Sequence, residues 1–209
     1  MPDDLDALAE RERALAAAGS RRLLGIAGPP GSGKSTLAQA LAERLGGAAV
    51  VVPMDGFHMP QAELVRLGRR DRMGAPDTFD VAGYAALLRR LRAREEPVVH
   101  APGFDRDVEE PVPDVIAVPR EVPLVISEGN YLLLEDEPWA SVRGLLDEVW
   151  YAEIDDATRL RLLIDRHVRH GKTPEAARAW VERSDEANAA RVAATRARAD
   201  RVVRIALDT

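Results

Sequence analysis

The feature that most constrains the fold is a glycine-rich motif between a short apolar segment and a helix-forming run. Its pattern is glycine, any four residues, then glycine, lysine and serine, which is the consensus of a phosphate-binding loop (P-loop). Glycines let backbone N–H groups turn toward an anion, and the following helix directs its N-terminus at the phosphates. The residues predicted to hold a nucleotide are Gly28, Pro29, Pro30, Gly31, Ser32, Gly33, Lys34, Ser35 and Thr36.

Two residues of this loop are expected to carry charge and metal chemistry. Lys34 is predicted to reach the β- and γ-phosphate oxygens, and the Ser35 hydroxyl is a hard oxygen ligand for Mg²⁺. The 29 Lys and Arg residues include only two lysines, Lys34 and Lys172. A position that keeps lysine in such a chain favours a compact ammonium over a planar guanidinium. ATP and Mg²⁺ are therefore the expected cofactors.

Apolar segments with strand character alternate with segments of helical periodicity along the chain. This alternation predicts an α/β fold of the P-loop NTPase type, with a mostly parallel five-stranded sheet and helices on both faces. The 209 residues fit a single domain, residues 1–209, with an N-terminal helix over about residues 1–19. The segment 104–120 is rich in proline and acidic residues, and we interpret it as an exposed excursion. The predicted strands are 21–28, 48–54, 122–127, 148–154 and 201–206, with a short strand at 98–100.

Charge and composition disfavour several classes of partner. The net charge is −6, with 35 acidic and 29 basic residues, which argues against a nucleic-acid partner. Cysteine is absent, so there is neither a disulfide framework nor a thiolate metal site. No apolar run approaches a membrane span, and the acidic N-terminus does not resemble a signal peptide. We expect a cytoplasmic protein without a membrane partner.

Two carboxylates follow predicted buried strands. Asp55 comes after the second strand, which we expect to lie beside the P-loop strand, and ligands of open α/β sheets bind at that edge. Glu128 ends the third strand in a Walker-B-like pattern and is predicted to help hold Mg²⁺. Either carboxylate could accept a proton from an attacking hydroxyl, and the pattern leaves open which one is the base.

Cationic residues crowd the stretch between Arg159 and Lys172 in a chain that is acidic overall. This stretch predicts a helical lid over about residues 159–185, with Gly171 as a joint, in which Arg166 acts in catalysis and Arg169 binds the nucleotide. A solvated arginine-rich surface is the competing interpretation.

Several short elements together resemble a known family. They are residues 28–35, 54–57, 74–80, 127–129 and 156–160, and they occur in the order seen in the uridine kinase, pantothenate kinase and phosphoribulokinase group. The resemblance spans about residues 20–206. It implies a general base at Asp55, a metal-proximal acid at Glu128 and phosphate-contacting arginines at Arg166 and Arg169. It also implies an acceptor pocket, for which the predicted residues are His58, His100, Phe104, Tyr131 and Asn188.

The sequence differs from the family pattern at Gly74, where uridine kinases carry an aspartate that binds the ribose hydroxyls. A ribose diol would lack its charge-assisted partner here, so uridine is disfavoured. The expected reaction is phosphoryl transfer to a hydroxyl of a small metabolite: a nucleoside, pantothenate or a sugar-like acceptor. Two alternatives remain open, an NTP-hydrolysing switch or interaction protein and a polynucleotide-end kinase. The assembly is also open, with a homodimer as one candidate.

Overall fold

The computed structural model describes residues 2–17 and 19–205, and its centre is a five-stranded, all-parallel sheet. The strands are β1 (Arg22–Ala27), β2 (Ala49–Pro53), β5 (Leu124–Glu128), β6 (Glu148–Glu153) and β7 (Arg201–Arg204). Their order in the sheet is β2-β5-β1-β6-β7. The predicted α/β fold and the number of sheet strands are confirmed.

Helices cover both faces of this sheet because its strands bury apolar side chains on both sides. One face packs against α1 and α2, where Leu24 and Ile26 of β1 meet Leu37 and Leu41 of α2. The opposite face packs against α4, and Leu88 of that helix joins its core. The helices are α1 (Leu5–Ala16), α2 (Lys34–Leu45), α3 (Gln61–Arg66), α4 (Val81–Ala93), α5 (Ala140–Arg143), α6 (Asp156–Arg169), α7 (Pro174–Trp180) and α8 (Glu186–Ala193).

The register of the strands places the ends of β1, β2 and β5 at one edge of the sheet. Glu128 of β5 lies opposite Ile26 of β1 on one side and Pro53 of β2 on the other. The expectation that β2 neighbours the P-loop strand was wrong, because β5 lies between them. Asp55 and Glu128 still meet, since they follow adjacent strands that end together.

The segment 104–120 was wrongly interpreted as an excursion, because most of it belongs to a β-hairpin. Strands β3 (Val98–Asp105) and β4 (Glu110–Pro119) pair antiparallel and form a separate two-stranded sheet. Proline weakens a strand prediction because it cannot donate to a ladder. β4 pairs with one neighbour only, so its prolines are tolerated there. The predicted strand at 98–100 is correspondingly too short.

Several predicted helix and strand ends differ from the structure. The N-terminal helix is shorter than 1–19 and spans Leu5–Ala16. A π-helical turn, Val181–Asp185, joins α7 to α8, so these two helices form one continuous helical run. Of the last predicted strand, Ala206 lies outside the described residues.

Among the described residues, none of the helices has the length and apolar character needed to cross a bilayer.

Candidate active site

The P-loop leaves β1 at Gly28 and enters α2 at Lys34. Gly28 has φ +152°, and a Cβ there would lie 2.6 Å from the Ser32 hydroxyl and 2.8 Å from the Ala152 carbonyl oxygen. The loop is therefore closed too tightly for any other residue at this position. Within the described chain the buried Ser32 hydroxyl has no hydrogen-bond partner. An unpaired buried donor inside a glycine-rich loop suits an incoming phosphate oxygen.

Lys34 is buried at the start of α2, with 7% of its surface exposed. Its Nζ donates to the Pro29 carbonyl oxygen at 2.9 Å. Burial lowers the pKa of Lys34 to about 8, against the opposing charges of Glu128 and Asp55. The ammonium is thus confined beside the loop and two carboxylates, where phosphate oxygens would restore its charged form.

Ser35 and Glu128 form a pair of oxygen donors next to Lys34. The Ser35 hydroxyl donates to Glu128 Oε1 at 2.8 Å. Burial raises the pKa of Glu128, and the negative charge of Asp55 raises it further. A cation placed between the hydroxyl and the carboxylate would offset this cost of burial.

Asp55 occupies a short 3₁₀ turn, Met54–Phe57, directly after β2. The next residue is Gly56, where a Cβ would lie 2.3 Å from the Pro102 carbonyl oxygen of β3, so only glycine permits this approach. Burial alone would raise the pKa of Asp55, but the positive groups around it hold the pKa below its usual range. Asp55 is therefore ionised at neutral pH and faces the same pocket as Lys34 and Glu128.

Arg106 reaches this carboxylate from the tip of the hairpin, which we define as residues 105–109. Its Nη2 donates to Asp55 Oδ2 at 2.7 Å. The arginine side chain is 40% exposed and the aspartate side chain 22%. The ion pair thus stands at the mouth of the pocket, where a ligand could compete for either partner.

An aromatic wall lies beside Asp55. The ring of His58 packs between Phe79 and Phe104, with centroids 4.1 and 4.4 Å away. Its Nδ1 lies 2.8 Å from the Asp55 carbonyl oxygen and is assigned as the donor in that contact. Burial lowers the pKa of His58, against the opposing charge of Asp55, and the ring lines the pocket.

The three helices α6, α7 and α8 cover the pocket from the opposite side. Arg166 of α6 lines it and makes no ion pair or side-chain hydrogen bond with the described residues. The π-helical turn contributes Asp185, whose carboxylate lies 2.8 Å from His167 Nε2. Such turns are frequent at functional sites because they reorient side chains within a helix. These helices thus supply both the unpaired Arg166 and the His167–Asp185 pair to the pocket.

Arg159 behaves differently from the other arginines of α6. Its side chain is 4% exposed and pairs with Asp156 and Glu186 at 3.0 and 2.7 Å. Its Nη1 donates to the Pro30 carbonyl oxygen of the P-loop at 3.3 Å. Arg159 therefore ties the loop to α6 and α8 and does not line the pocket.

Nine of the eighteen predicted site residues line one pocket; six of the others belong to the loop 28–36, and the remaining three lie elsewhere. Arg169 is exposed on α6, and His100 is exposed on β3 opposite Ala117. Tyr131 is fully buried behind the pocket wall, where its hydroxyl donates to the Gly74 carbonyl oxygen. The predicted residues that line the pocket are Pro30, Lys34, Ser35, Asp55, His58, Phe104, Glu128, Arg166 and Asn188.

The sequence analysis missed several pocket residues. Arg106 lies in the segment interpreted as an excursion, and Arg70 lies in a short irregular turn, so neither has a periodic pattern around it. Trp180 precedes the π-helical turn and Asp185 is its last residue, and sequence periodicity does not reveal this turn. The Asp105-Arg106-Asp107 turn between two valine-rich segments was the available signal for a hairpin.

Comparisons with known proteins agree with this geometry. The chain is 37% identical over 179 residues to a candidate uridine kinase of Schizosaccharomyces pombe, covering 80% of this chain and 76% of that protein. The structure of a candidate fructose transport system kinase from Silicibacter sp. TM1040 is 36% identical and matches with a TM-score of 0.86, over 96% of this chain and 98% of that one. The chain belongs to the P-loop kinases of the uridine kinase and pantothenate kinase group.

A further relative of this P-loop kinase is an ATP-dependent kinase-like protein of Aspergillus versicolor. It is 40% identical over 133 residues, which cover 60% of this chain and 77% of that protein. No protein-family model matches the chain. The relatives support an ATP-dependent kinase with a small-molecule substrate.

Proposed function

We propose that the chain transfers the γ-phosphoryl group of ATP to a hydroxyl of a small metabolite, with Asp55 as the general base. The observation that carries this proposal is the convergence of three charged groups on one pocket: Lys34 from the P-loop, Asp55 from the turn after β2, and Arg166 from α6. A base and phosphate-binding cations facing one cavity are the arrangement that phosphoryl transfer to an alcohol requires.

The residues have separate roles in this reaction. Asp55 accepts the proton of the acceptor hydroxyl as its oxygen forms a bond to the γ-phosphorus. The bond between that phosphorus and the β,γ-bridging oxygen breaks, and ADP leaves with the electron pair. Lys34 and Arg166 face the negative charge on the transferring group, and their hydrogen-bond donors stabilise it within a site that is partly closed to water.

Mg²⁺ fits the oxygen donors beside the P-loop. Ser35 and Glu128 lie within hydrogen-bond distance of each other, at 2.8 Å, and offer the hydroxyl and carboxylate oxygens that this ion prefers. These two residues would hold the ion, which supplies charge neutralisation at the phosphates when bound. The raised pKa of Glu128 supports this role, because a buried carboxylate beside Asp55 lacks a full counter-charge.

The nucleoside half of ATP has a place on the other side of the P-loop. A second cavity there is bordered by Pro29, by the end of β6 and by one face of α8. Its apolar lining includes Tyr151, Ile154 and Ala189. A purine is planar and largely apolar on its faces, so we assign its site to this cavity.

Uridine is disfavoured as the acceptor. Gly74 lines the pocket at the position where uridine kinases place a ribose-binding aspartate, and it offers no side chain for a diol. Pantothenate and sugar-like acceptors remain the candidates.

The proposal is tested by measuring ATP consumption over a panel of nucleosides, pantothenate and sugars, with the wild type and Asp55→Asn. Turnover should depend on one acceptor class. The asparagine variant should lose on the order of 10²–10⁴ in kcat, because it cannot take the proton. Its dissociation constant for ATP should change by less than about threefold, because Asp55 meets the acceptor.

The matched control is Asp114→Asn, an exposed residue on β4 outside the pocket. It should retain wild-type kcat. ATP hydrolysis that needs no acceptor and persists in Asp55→Asn would contradict the kinase proposal and favour an NTP-hydrolysing switch.

A further inference from the structure

The cations on the acceptor side of the pocket mostly have carboxylate partners other than Asp55. Arg70 Nη2 lies 2.6 Å from Glu109 Oε2, and Lys172 Nζ lies 3.7 Å from Glu109 Oε1. Two histidines face carboxylates as well: His167 of α6 lies 2.8 Å from Asp185, and His170, just after that helix, lies 3.0 Å from Asp107. These groups contact one another without involving the proposed base.

Arg106 is the exception among these groups. Its ion pair within the described chain is with Asp55, at 2.7 Å. The residue comes from the hairpin tip, which pairs with no strand of the five-stranded sheet. The arginine is therefore free to exchange its partner without disturbing the fold.

The Arg106–Asp55 pair conflicts with the chemistry proposed for Asp55. The guanidinium occupies a carboxylate oxygen and lowers the proton affinity of the group that must accept a proton. Arg166 also lines this pocket, so Arg106 would be left beside a like charge when Asp55 turns to a hydroxyl. The Arg106 side chain is 40% exposed at the pocket mouth, so its released guanidinium is open to an incoming anion. An anion on the acceptor would bind it at the step where Asp55 is needed.

We propose that the acceptor carries a carboxylate or phosphate close to the hydroxyl that is phosphorylated, and that Arg106 binds this group. The inference rests on the proposed kinase activity and on Asp55 as its base. Because Arg106 already lies beside Asp55, the anion it binds must lie close to the hydroxyl that faces Asp55. Small hydroxy acids and sugar phosphates meet this requirement, whereas nucleosides and free sugars do not.

The test uses pairs of acceptors that differ in charge but little in shape. They are pantothenate with pantothenol, glycerate with glycerol, and fructose 6-phosphate with fructose. Binding is measured by calorimetry on the full chain saturated with Mg²⁺ and a non-hydrolysable ATP analogue, and turnover is measured separately with ATP. The proteins are the wild type, Arg106→Gln and the control Arg90→Gln. Arg90 lies on α4 and forms an exposed pair with Glu96.

In wild type and in Arg90→Gln, the anionic member of at least one pair should bind at least about tenfold tighter than its neutral partner. Arg106→Gln should reduce that preference to less than about threefold, while circular dichroism shows an unchanged fold. Preference within the pantothenate or glycerate pair identifies a carboxylate, and preference within the fructose pair identifies a phosphate.

Three results would overturn the inference: equal binding of charged and neutral partners, no binding of any member, or faster turnover of a neutral acceptor by Arg106→Gln. The last would make the ion pair an inhibitory contact. Turnover of neutral acceptors alone would leave the kinase proposal standing and reject the anionic acceptor. Anion preference without any ATP turnover would reject the kinase proposal, and with it the assignment of the bound anion as part of an acceptor.

Discussion

Lys34 is a cation held in a buried position before any phosphate is bound. Its burial lowers its pKa to about 8, so a substantial fraction of the free protein carries neutral Lys34 above that pH. Phosphate oxygens favour the charged form and raise the pKa in the complex. ATP binding above pH 8 must therefore take up a proton.

We expect the affinity for ATP to be nearly constant from pH 6.5 to 7.5 and to fall by up to about tenfold per pH unit above pH 8. Calorimetry in two buffers of different ionisation enthalpy measures the proton uptake directly. Lys34→Arg serves as the control because a guanidinium does not titrate in this range. Equal proton uptake by wild type and by this variant would assign the titration to another group.

At the scale of single residues, the carboxylates of the site were predictable and Arg106 was not. Asp55 and Glu128 each follow a buried apolar strand, and the carboxyl ends of parallel strands meet at one edge of a sheet. Arg106 lies in an acidic, proline-rich turn, and only the path of the hairpin brings it 2.7 Å from Asp55. Sequence spacing does not encode that contact.

At the scale of elements, helix α6 presents two kinds of arginine to the site. Arg166 lines the pocket without a partner in the described chain, which fits a cation that acts on the transferring phosphoryl group. We expect Arg166→Ala to lower kcat and kcat/KM together by a factor on the order of 10²–10³, with little change in the KM for ATP.

Arg161→Ala is the matched control, because Arg161 lies on the same helix and is exposed outside the pocket. Its steady-state kinetics should equal those of wild type. Proteolysis near Gly171 adds a test of the proposed lid, since closure over bound ATP, Mg²⁺ and an unreactive acceptor should slow cleavage. Unchanged kinetics in Arg166→Ala together with unchanged cleavage would reject both roles.

Arg159 joins three elements through one buried guanidinium. Its bonds to Asp156, Glu186 and the Pro30 carbonyl oxygen hold α6, α8 and the P-loop together. Arg159→Met should lower the free energy of unfolding by roughly 1–3 kcal/mol, because it leaves the buried Pro30 carbonyl oxygen unpaired. It should also weaken ATP binding, since the loop loses a support.

Denaturant titration measures the first effect and calorimetry the second. Arg90→Met removes an exposed pair and should cost less than about 1 kcal/mol. A destabilised Arg159→Met protein with wild-type affinity for ATP would show that the contact stabilises the fold without shaping the loop.

Helices and strands were predicted correctly where the apolar pattern is strong. Prediction failed where pairing with a neighbouring strand stabilises residues that disfavour a strand. The strands of the parallel sheet are continuous buried runs, and their positions were predicted to within a few residues. β4 carries prolines and exposed charge, and its strand conformation depends on pairing with β3. The π-helical turn between α7 and α8 has no sequence period at all.

At the scale of the whole molecule, two cores share one sheet. Leu88 lies in the core on the α4 face and Leu41 in the core on the α2 face, and both are fully buried. Leu88→Ala and Leu41→Ala should each lower the free energy of unfolding by about 2–5 kcal/mol. Both cores should unfold in a single transition, because the same strands contribute to each.

Urea titrations followed by tryptophan fluorescence and by far-UV circular dichroism should give coincident curves for each variant. Val65→Ala, at a valine that is 65% exposed, should change stability by less than about 0.5 kcal/mol. Separate transitions for the two probes would show that the two faces unfold independently.

The β3–β4 hairpin has a consequence for how this enzyme can diversify. The base of the hairpin is anchored by Val99, Ala101 and Val118, which lie in the main core. Residues 105–109 form its tip, and the β3–β4 pair is separate from the five-stranded sheet. Substitutions at the tip change what meets Asp55 and leave the P-loop, Glu128 and the sheet intact. During evolution, a few substitutions at the tip can therefore change the acceptor while the residues that bind phosphate stay the same.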